Sequence, residues 1–172
     1  MFQGRWPNHL SLDAKNRLAL PARFRVEPAD SEGGSEFMVG ALEDACLYVH
    51  TPSQHAAFLD RIFSRLGDTR ASRKAKAYIL SRFVPVGADG QGRITIPAFL
   101  ISHARLNKEV LLIAQESRLE IWATEVFGGL ESEVQGTGIA DVLEAVFAEE
   151  EQERRSLRRA SGSAREGKSP ST

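Results

Sequence analysis

Two five-residue stretches carry side chains suited to recognition. In Asp13-Ala14-Lys15-Asn16-Arg17 and Asp89-Gly90-Gln91-Gly92-Arg93, a carboxylate and a guanidinium flank turn-forming residues. Arginine's planar fork can bond guanine O6 and N7 together, a contact worth about 1–3 kcal/mol of base discrimination. The other chemistry open to Arg17 and Arg93 is a plain surface ion pair with Asp13 and Asp89, which contributes little. The two readings are compatible, because the Asp can orient the Arg. Lys15 lies at the tip of the first loop, where it can meet a phosphate. Its counterpart is Gln91, so the two loops would differ in affinity. Within residues 1–25, Arg5, Lys15, Arg17, Arg23 and Arg25 face only Asp13. Neutralisation of phosphates by such a cluster makes binding fall steeply with salt. For Arg23 and Arg25 the alternative is a solvated face. A second basic run, Arg70, Arg73, Lys74 and Lys76, reads as the wet side of a helix.

The two stretches belong to an internal repeat, which takes precedence over any local reading. Leu10–Ala22 recurs as Val86–Ala98 at a constant offset of 76 residues, with Asp, Arg, Pro and Ala identical at matched places. Glu36–Ala41 then resembles Glu109–Ala114, and Leu47–Thr51 resembles Leu119–Ala123, with loops absorbing the length differences. The first unit covers 5–66 and the second 82–134. A linker helix at 67–81 joins them, and a C-terminal helix at 135–160 and a disordered tail at 161–172 follow.

Certain elements must position the loops. Leu10 and Leu12, and Leu18 and Leu20, alternate with polar neighbours, as half-buried strands do. The residues between them form a hairpin loop. Asp bonds nearby backbone N–H groups, and Asn16 and Gly92, at matched places, suit a left-handed conformation. Pro21 and Pro97 end the strands and open short helices over Pro21–Arg25 and Pro97–Ala104. Phe37–Ala41 with Cys46–Val49, and Val110–Ala114 with Leu119–Trp122, read as further strand pairs. Thr51-Pro52 caps an amphipathic helix whose stripe is Leu59, Ile62, Phe63 and Leu66. Thr124 is the matching cap in the second unit, where Gly128-Gly129 interrupts the helix. Arg70–Leu80 reads as a linking helix with Ala75, Tyr78 and Ile79 as its apolar side. Ile139, Val142, Leu143, Val146 and Phe147 form another stripe. Each half is too small to bury its own sheet, so the halves must share one core. The expected fold is α+β, mainly β: two hairpin units packed as one pseudo-symmetric barrel-like body with peripheral helices.

Composition narrows the function classes. The 172 residues carry a net charge of −1, with 42% hydrophobic and 26% charged residues, an ordinary globular balance. No run approaches a membrane span, and the first residues do not read as a secretory signal. Cys46 is the single cysteine, which excludes an intrachain disulfide and a Cys-rich zinc site and fits a reducing cytosol. Its strand setting reads as a buried thiol. His9, His50, His55 and His103 form no metal-ligand pattern and read as surface or strand-end residues. Gly33-Gly34 reads as a flexible loop. No nucleophile motif or Gly-rich phosphate loop occurs. Neither a catalytic site, a metal nor a cofactor is expected.

Asp-x-x-x-Arg followed by two alternating apolar residues and Pro, present twice, resembles the MraZ family, a tandem form of the SpoVT-AbrB swapped-hairpin domain. Met1-Phe2-x-Gly4, Leu18–Arg25, and Lys108-Glu109-Val110 leading to Ile121-Trp122 are also similar. The resemblance covers residues 1–130. It implies a non-enzymatic, sequence-specific DNA-binding transcriptional regulator, cytoplasmic and nucleoid-associated. Such a protein acts as a repressor on short direct repeats before the division and cell-wall gene cluster. The DNA-contacting Asp-x-x-x-Arg maps onto Asp13–Arg17 and Asp89–Arg93, with Lys15, Arg5 and Arg23 as further contacts. Asn16 stands where the family usually has Gly. The partners implied are double-stranded DNA and further copies of the chain in a ring, with no membrane. Phe2, Trp6, Phe24 and the Ile139–Phe147 stripe are candidate contacts between chains or ordinary core. The alternative function is a ring-forming scaffold that binds protein partners without DNA.

Overall fold

Alternation of apolar and polar residues sets the strands, and the exchange of strands between the two repeats sets the sheet. The computed structural model describes residues 3–6, 9–24, 36–42 and 44–166, with the backbone alone for Glu153 and 156–166. Expectations that concern Phe2, Arg25, Gly33-Gly34 and 167–172 lie outside the described residues.

The first repeat supplies β1 (Gly4–Arg5), β2 (Leu10–Ser11), β3 (Arg17–Ala19), a 3-10 turn (Ala22–Phe24), β4 (Glu36–Gly40), β5 (Cys46–His50) and α1 (Pro52–Phe63). Then come α2 (Arg70–Ser81), β6 (Phe83–Gly87), β7 (Arg93–Thr95), α3 (Ala98–His103), β8 (Glu109–Ala114), β9 (Leu119–Ala123), α4 (Thr124–Thr137) and α5 (Ile139–Glu166). The class is α+β, and strands are the more numerous elements.

The larger sheet runs β1-β8-β9-β5-β4-β6, with β2 also on β8. All its pairs are antiparallel. β2, from the first hairpin, pairs with β8 of the second repeat, and β6, from the second hairpin, pairs with β4 of the first. Each repeat thus lends a strand to the other, and β5 and β9 meet at the centre in the register Leu47↔Ile121. The other hairpin strands, β3 and β7, pair with one another as a separate two-stranded sheet. A closed barrel is not seen among the described residues; the larger sheet is open, with β6 at one end of its path and β1 at the other.

One core joins both repeats. Leu18, Leu20, Val39 and Leu47 from the first pack with Ile94, Ile96, Val110, Leu112 and Ile121 from the second, all at 0–1% exposure. Shared burial gives the two repeats, each with a small sheet, one common core. A second cluster lies on the other face of β5, where Cys46, Tyr48, Phe58 and Phe83 pack with Leu59 and Ile62 of α1 and Ile79 of α2. His50 and His55 are buried there, 1% and 7% exposed, among the Phe58 and Phe83 rings. The reading of these histidines as surface or strand-end residues holds for His50 only in that it ends β5; neither ring is at the surface. β5 is covered on both faces and is buried along its whole length.

Polar groups within the fold are paired. Glu120, 5% exposed, accepts from Gln115 Nε2, Arg118 Nε and Trp122 Nε1, and Arg118 lies 4.4 Å from the Tyr48 ring centroid. Arg82 donates from Nε to the Ala41 carbonyl and from Nη2 to His103 Nδ1, at 3.1 and 2.9 Å. Arginine only donates, so His103 Nδ1 accepts and its Nε2 donates to the Asp44 carbonyl, 3.2 Å away. This chain of bonds ties the turn after β4 to α3.

The helices have legible starts. Thr51 caps α1 through a reciprocal box with Gln54, and Thr69 accepts from the Ser72 N–H at the start of α2. Pro97 stands at the N-cap of α3. α4 begins at Thr124 itself and runs unbroken through Gly128-Gly129, although each glycine costs a helix interior about 1 kcal/mol. The chain divides into two units, Met1–Phe127 and Gly128–Thr172. In the second, α5 continues past position 161 to Glu166, with Glu151 and Arg155 bonded at 2.6 Å one helical turn apart. No helix among the described residues is long and apolar enough to cross a membrane.

Candidate nucleic-acid interface

The two hairpin loops match bond for bond. In the first, the Asp13 N–H donates to the Arg17 carbonyl at 3.0 Å and the Asn16 N–H donates to the Asp13 carbonyl at 3.0 Å. In the second, the Asp89 and Gly92 N–H groups make the equivalent bonds at 2.9 and 2.7 Å. Asn16 has φ 57° and Gly92 φ 74°, the left-handed turn that the sequence placed at this position. Asn is among the few side-chain-bearing residues that accept it.

The aspartates organise both loops. Asp13 Oδ1 accepts from the N–H groups of Lys15 (2.8 Å) and Arg17 (3.0 Å), and Oδ2 accepts from Arg17 Nε at 2.6 Å. Asp89 Oδ1 accepts from Gln91 and Arg93 N–H, both at 2.9 Å, and Oδ2 from Arg93 Nε at 2.8 Å with Nη2 also 2.8 Å away. The backbone N–H of Arg17 is the largest influence holding the Asp13 carboxyl below its usual range, and the Arg93 N–H does the same for Asp89. Each carboxylate is therefore harder to protonate than a free Asp, which favours its bonds to the loop. The ion pairs of Arg17 with Asp13 and of Arg93 with Asp89 are both present.

The pairing leaves the arginines accessible. Their side chains are 30% and 28% exposed. The carboxylate takes the Nε side of each fork, and in Arg93 Nη2 as well, so the Nη1 donors are not used by the pair.

The small sheet fixes the loops against each other. Arg17 lies opposite Thr95, Leu18 opposite Ile94 and Ala19 opposite Arg93. Leu18 and Ile94, both 0% exposed, point into the core. Arg17, Ala19, Arg93 and Thr95 therefore share the opposite face, with the arginines as diagonal neighbours, a relation that spans roughly 7–8 Å. Two bare guanidiniums so placed would repel, and the aspartates remove that cost. Further bonds cross between repeats: the Leu20 N–H donates to the Gly92 carbonyl and the Ile96 N–H to the Asn16 carbonyl, at 3.1 and 2.9 Å. Each loop's left-handed residue is thus held by the other repeat.

Lys15 and Gln91 are exposed at matched loop tips. Arg5 lies on β1 with its guanidinium 5.9 Å from the Phe127 ring centroid, and Arg23, in the 3-10 turn, stands 5.9 Å from that of Trp6. Trp6 in turn meets Phe24 edge to face at 5.5 Å, and Phe24 is in the core. Ala19 and Thr95 were not singled out from the sequence. Period-two alternation from Arg17 and Arg93 marks both.

Elsewhere, burial first and then the Glu120 and Asp44 charges push the Cys46 thiol up to about 12, a poor nucleophile at neutral pH. No group of three or more metal-ligating side chains occurs among the described residues.

Strand exchange between two repeats, each presenting an Asp-x-x-x-Arg loop, defines a tandem swapped-hairpin protein. Comparison with known proteins makes this specific. The family model described as "MraZ protein, putative antitoxin-like" matches residues 82–148. A protein of Alkaliphilus metalliredigens named transcriptional regulator MraZ is 36% identical over 128 residues, 74% of this chain and 85% of its own. The protein of that name from Moorella thermoacetica is 39% identical, covering 72% of this chain and 81% of its own. That of Hydrogenovibrio crunogenus is 28% identical, covering 81% and 92%. The chain belongs to the MraZ family.

Proposed function

We propose that the chain is a non-enzymatic, DNA-binding transcriptional regulator that reads duplex DNA with the β3–β7 face. One observation carries this: two loops with the same internal bonds present part-exposed arginines side by side on a rigid sheet. Relatives named as transcriptional regulators support the reading. In it, Asp13 and Asp89 hold Arg17 and Arg93 ready for base edges, and Lys15 meets phosphate. Arg5 and Arg23 add positive charge outside the loops. One face spans few base pairs, so assembly of several copies into a ring gains affinity through effective concentration on short direct repeats. Bound there, before the division and cell-wall genes, the protein represses by excluding polymerase, and it associates with the nucleoid in the cytoplasm. The exposed stripe of Ile139, Leu143, Val146 and Phe147, 43–62% exposed, favours a second reading, a scaffold that binds proteins without DNA.

Fluorescence anisotropy of the full chain on DNA from upstream of its own gene separates the two. Arg17→Ala and Arg93→Ala should each weaken binding about 5- to 150-fold, and together abolish site preference. Binding that survives the double substitution unchanged overturns the reading.

A further inference from the structure

Among the described residues, a positive φ occurs at Gly4, Asn16, Gly92, Gly138 and Arg105. Glycine and asparagine accept that conformation readily; Arg105, at φ 50°, is the one long side chain held in it. It closes α3. The Arg105 N–H donates to the Ser102 carbonyl at 3.3 Å, and the Leu106 N–H donates to the Ile101 carbonyl at 3.0 Å. Leu106 then packs into the core, 6% exposed. This is the helix ending that glycine usually fills, because a Cβ there is strained. A cation beyond a helix C-terminus gains a little from the helix dipole. A neighbouring position would give that gain without the strain. The chain thus keeps an exposed guanidinium at a place where its backbone favours glycine.

The turn that carries Arg105 lies against the first hairpin loop. The Leu12 N–H donates to the Lys108 carbonyl at 2.8 Å, and β2 pairs with β8 beside it. An open groove of about 420 Å³ runs between the two, with Asp13, Ala14 and Asn16 on one side and Leu106, Asn107 and Lys108 on the other. Arg105 lines an adjoining hollow of about 550 Å³ that shares Leu106 and Asn107 and reaches Glu125. The carboxylates on these walls are engaged: Asp13 accepts from Arg17 Nε at 2.6 Å, and Glu125 from Asn107 Nδ2 at 3.1 Å. Arg105 and Lys108 are exposed, and neither is in an ion pair among the described residues.

We propose that this groove seats the sugar–phosphate backbone of a bound duplex, with Lys108 and Arg105 as its phosphate contacts. The inference rests on the DNA-binding reading above and extends it beyond the β3–β7 face to the turn between α3 and β8. Phosphate contacts position a protein on the duplex and carry no sequence information. Arginine can hold two phosphate oxygens in its fork, and lysine supplies a compact point charge. The bonded cap fixes the backbone from which the Arg105 side chain starts, so less freedom is lost on binding.

The test is a salt titration of the full chain on two duplexes, one from upstream of its own gene and one with that sequence scrambled. Arg105→Gly separates contact from structure. The melting temperature should hold or rise, because glycine suits the cap, while affinity falls about 10-fold on both duplexes alike. The slope of log affinity against log salt should drop by about 1. Lys108→Gln should act likewise without moving the melting temperature, and the double variant should lose about 2 from the slope. Arg105→Lys, which keeps the charge, should restore most of it. Preference for the native duplex should survive in every variant. Unchanged affinity and slope in the double variant overturn the proposal. So does a loss seen on the native duplex alone, or one confined to Arg105→Gly and accompanied by a lower melting temperature. Failure of the unsubstituted chain to retain either duplex overturns the DNA-binding reading itself, and the inference falls with it.

Discussion

Ile94→Ala tests whether the β3–β7 face depends on the core beneath it. Ile94 is 0% exposed, pairs with Leu18 across the small sheet, and stands one residue after Arg93. The substitution removes three carbons, about 2.4 kcal/mol of transfer free energy at ~0.8 kcal/mol each. A cavity in a core that relaxes only in part raises the cost to about 3–4 kcal/mol. Against a domain stability of roughly 5–15 kcal/mol, the variant should still fold in the cold. Ile94→Val, which removes one carbon, should cost about 0.5–1.5 kcal/mol. Urea unfolding followed by circular dichroism gives these values as midpoint shifts at constant slope. Because Leu18 and Ile94 are cross-strand partners, Leu18→Ala/Ile94→Ala should depart from the sum of the single losses by more than ~0.5 kcal/mol. Hydrogen exchange should show the Leu20 and Ile96 amides opening first, since their bonds to Gly92 and Asn16 hold the loops. A loss below about 1 kcal/mol for Ile94→Ala, or strict additivity with Leu18→Ala, refutes the claim that the two loops stand on one shared core.

Other perturbations probe separate features. Burial first, then His55 and the Arg118 and Arg61 charges, lower the His50 pKa to about 4. A depressed value means that stability is whole above the unfolded pKa of 6.5 and is lost as the pH falls towards 4, by about 2–3 kcal/mol. His50→Gln should flatten the urea midpoint between those pH values, and an unchanged pH slope in the variant contradicts the assignment. A Cβ on Gly40 would strike the Phe83 ring and the Arg82 carbonyl, so Gly40→Ala should lower the melting temperature by several degrees, whereas Gly67→Ala, in open space, should not. Gly92→Val places a β-branched residue at φ 74° and should destabilise by more than 1 kcal/mol, while Asn16→Gly should be near neutral; equal effects in calorimetry would deny the left-handed requirement. Cys46 should resist iodoacetamide at pH 8 until denaturant is added, as a mass shift in native protein would disprove.

The sequence made the loops legible because the chain states them twice. A single Asp-x-x-x-Arg is common, but two at one offset, each with a left-handed residue before Arg and a proline four residues beyond it, constrain backbone and side chain together. Local alternation also marked β3 and β7, yet nothing local says with which strands they pair. The exchange of β2 onto β8 and β6 onto β4 is a tertiary choice, made where each repeat alone leaves a sheet too small to bury its own face. The same non-local cause hid the histidines. His50 ends a strand and His55 lies in the first turns of a helix, positions that read as surface until α1 covers β5 and both rings close on Phe58 and Phe83. Gly128-Gly129 misled in the other direction, because helix propensity is a weak prior and α4 continues through both. The two roles that the residue types suggest for each aspartate, bonding nearby backbone N–H groups and orienting the arginine, coincide in one carboxylate. Asp13 and Asp89 accept from the backbone N–H of the tip residue, Lys15 or Gln91, as well as from the arginine, so the ion pair and the loop are one structure. The carboxylate takes the Nε edge of each fork and leaves the Nη1 donor outside the pair. On the proposed reading, the ion pair preorganises each arginine for DNA rather than competing with it.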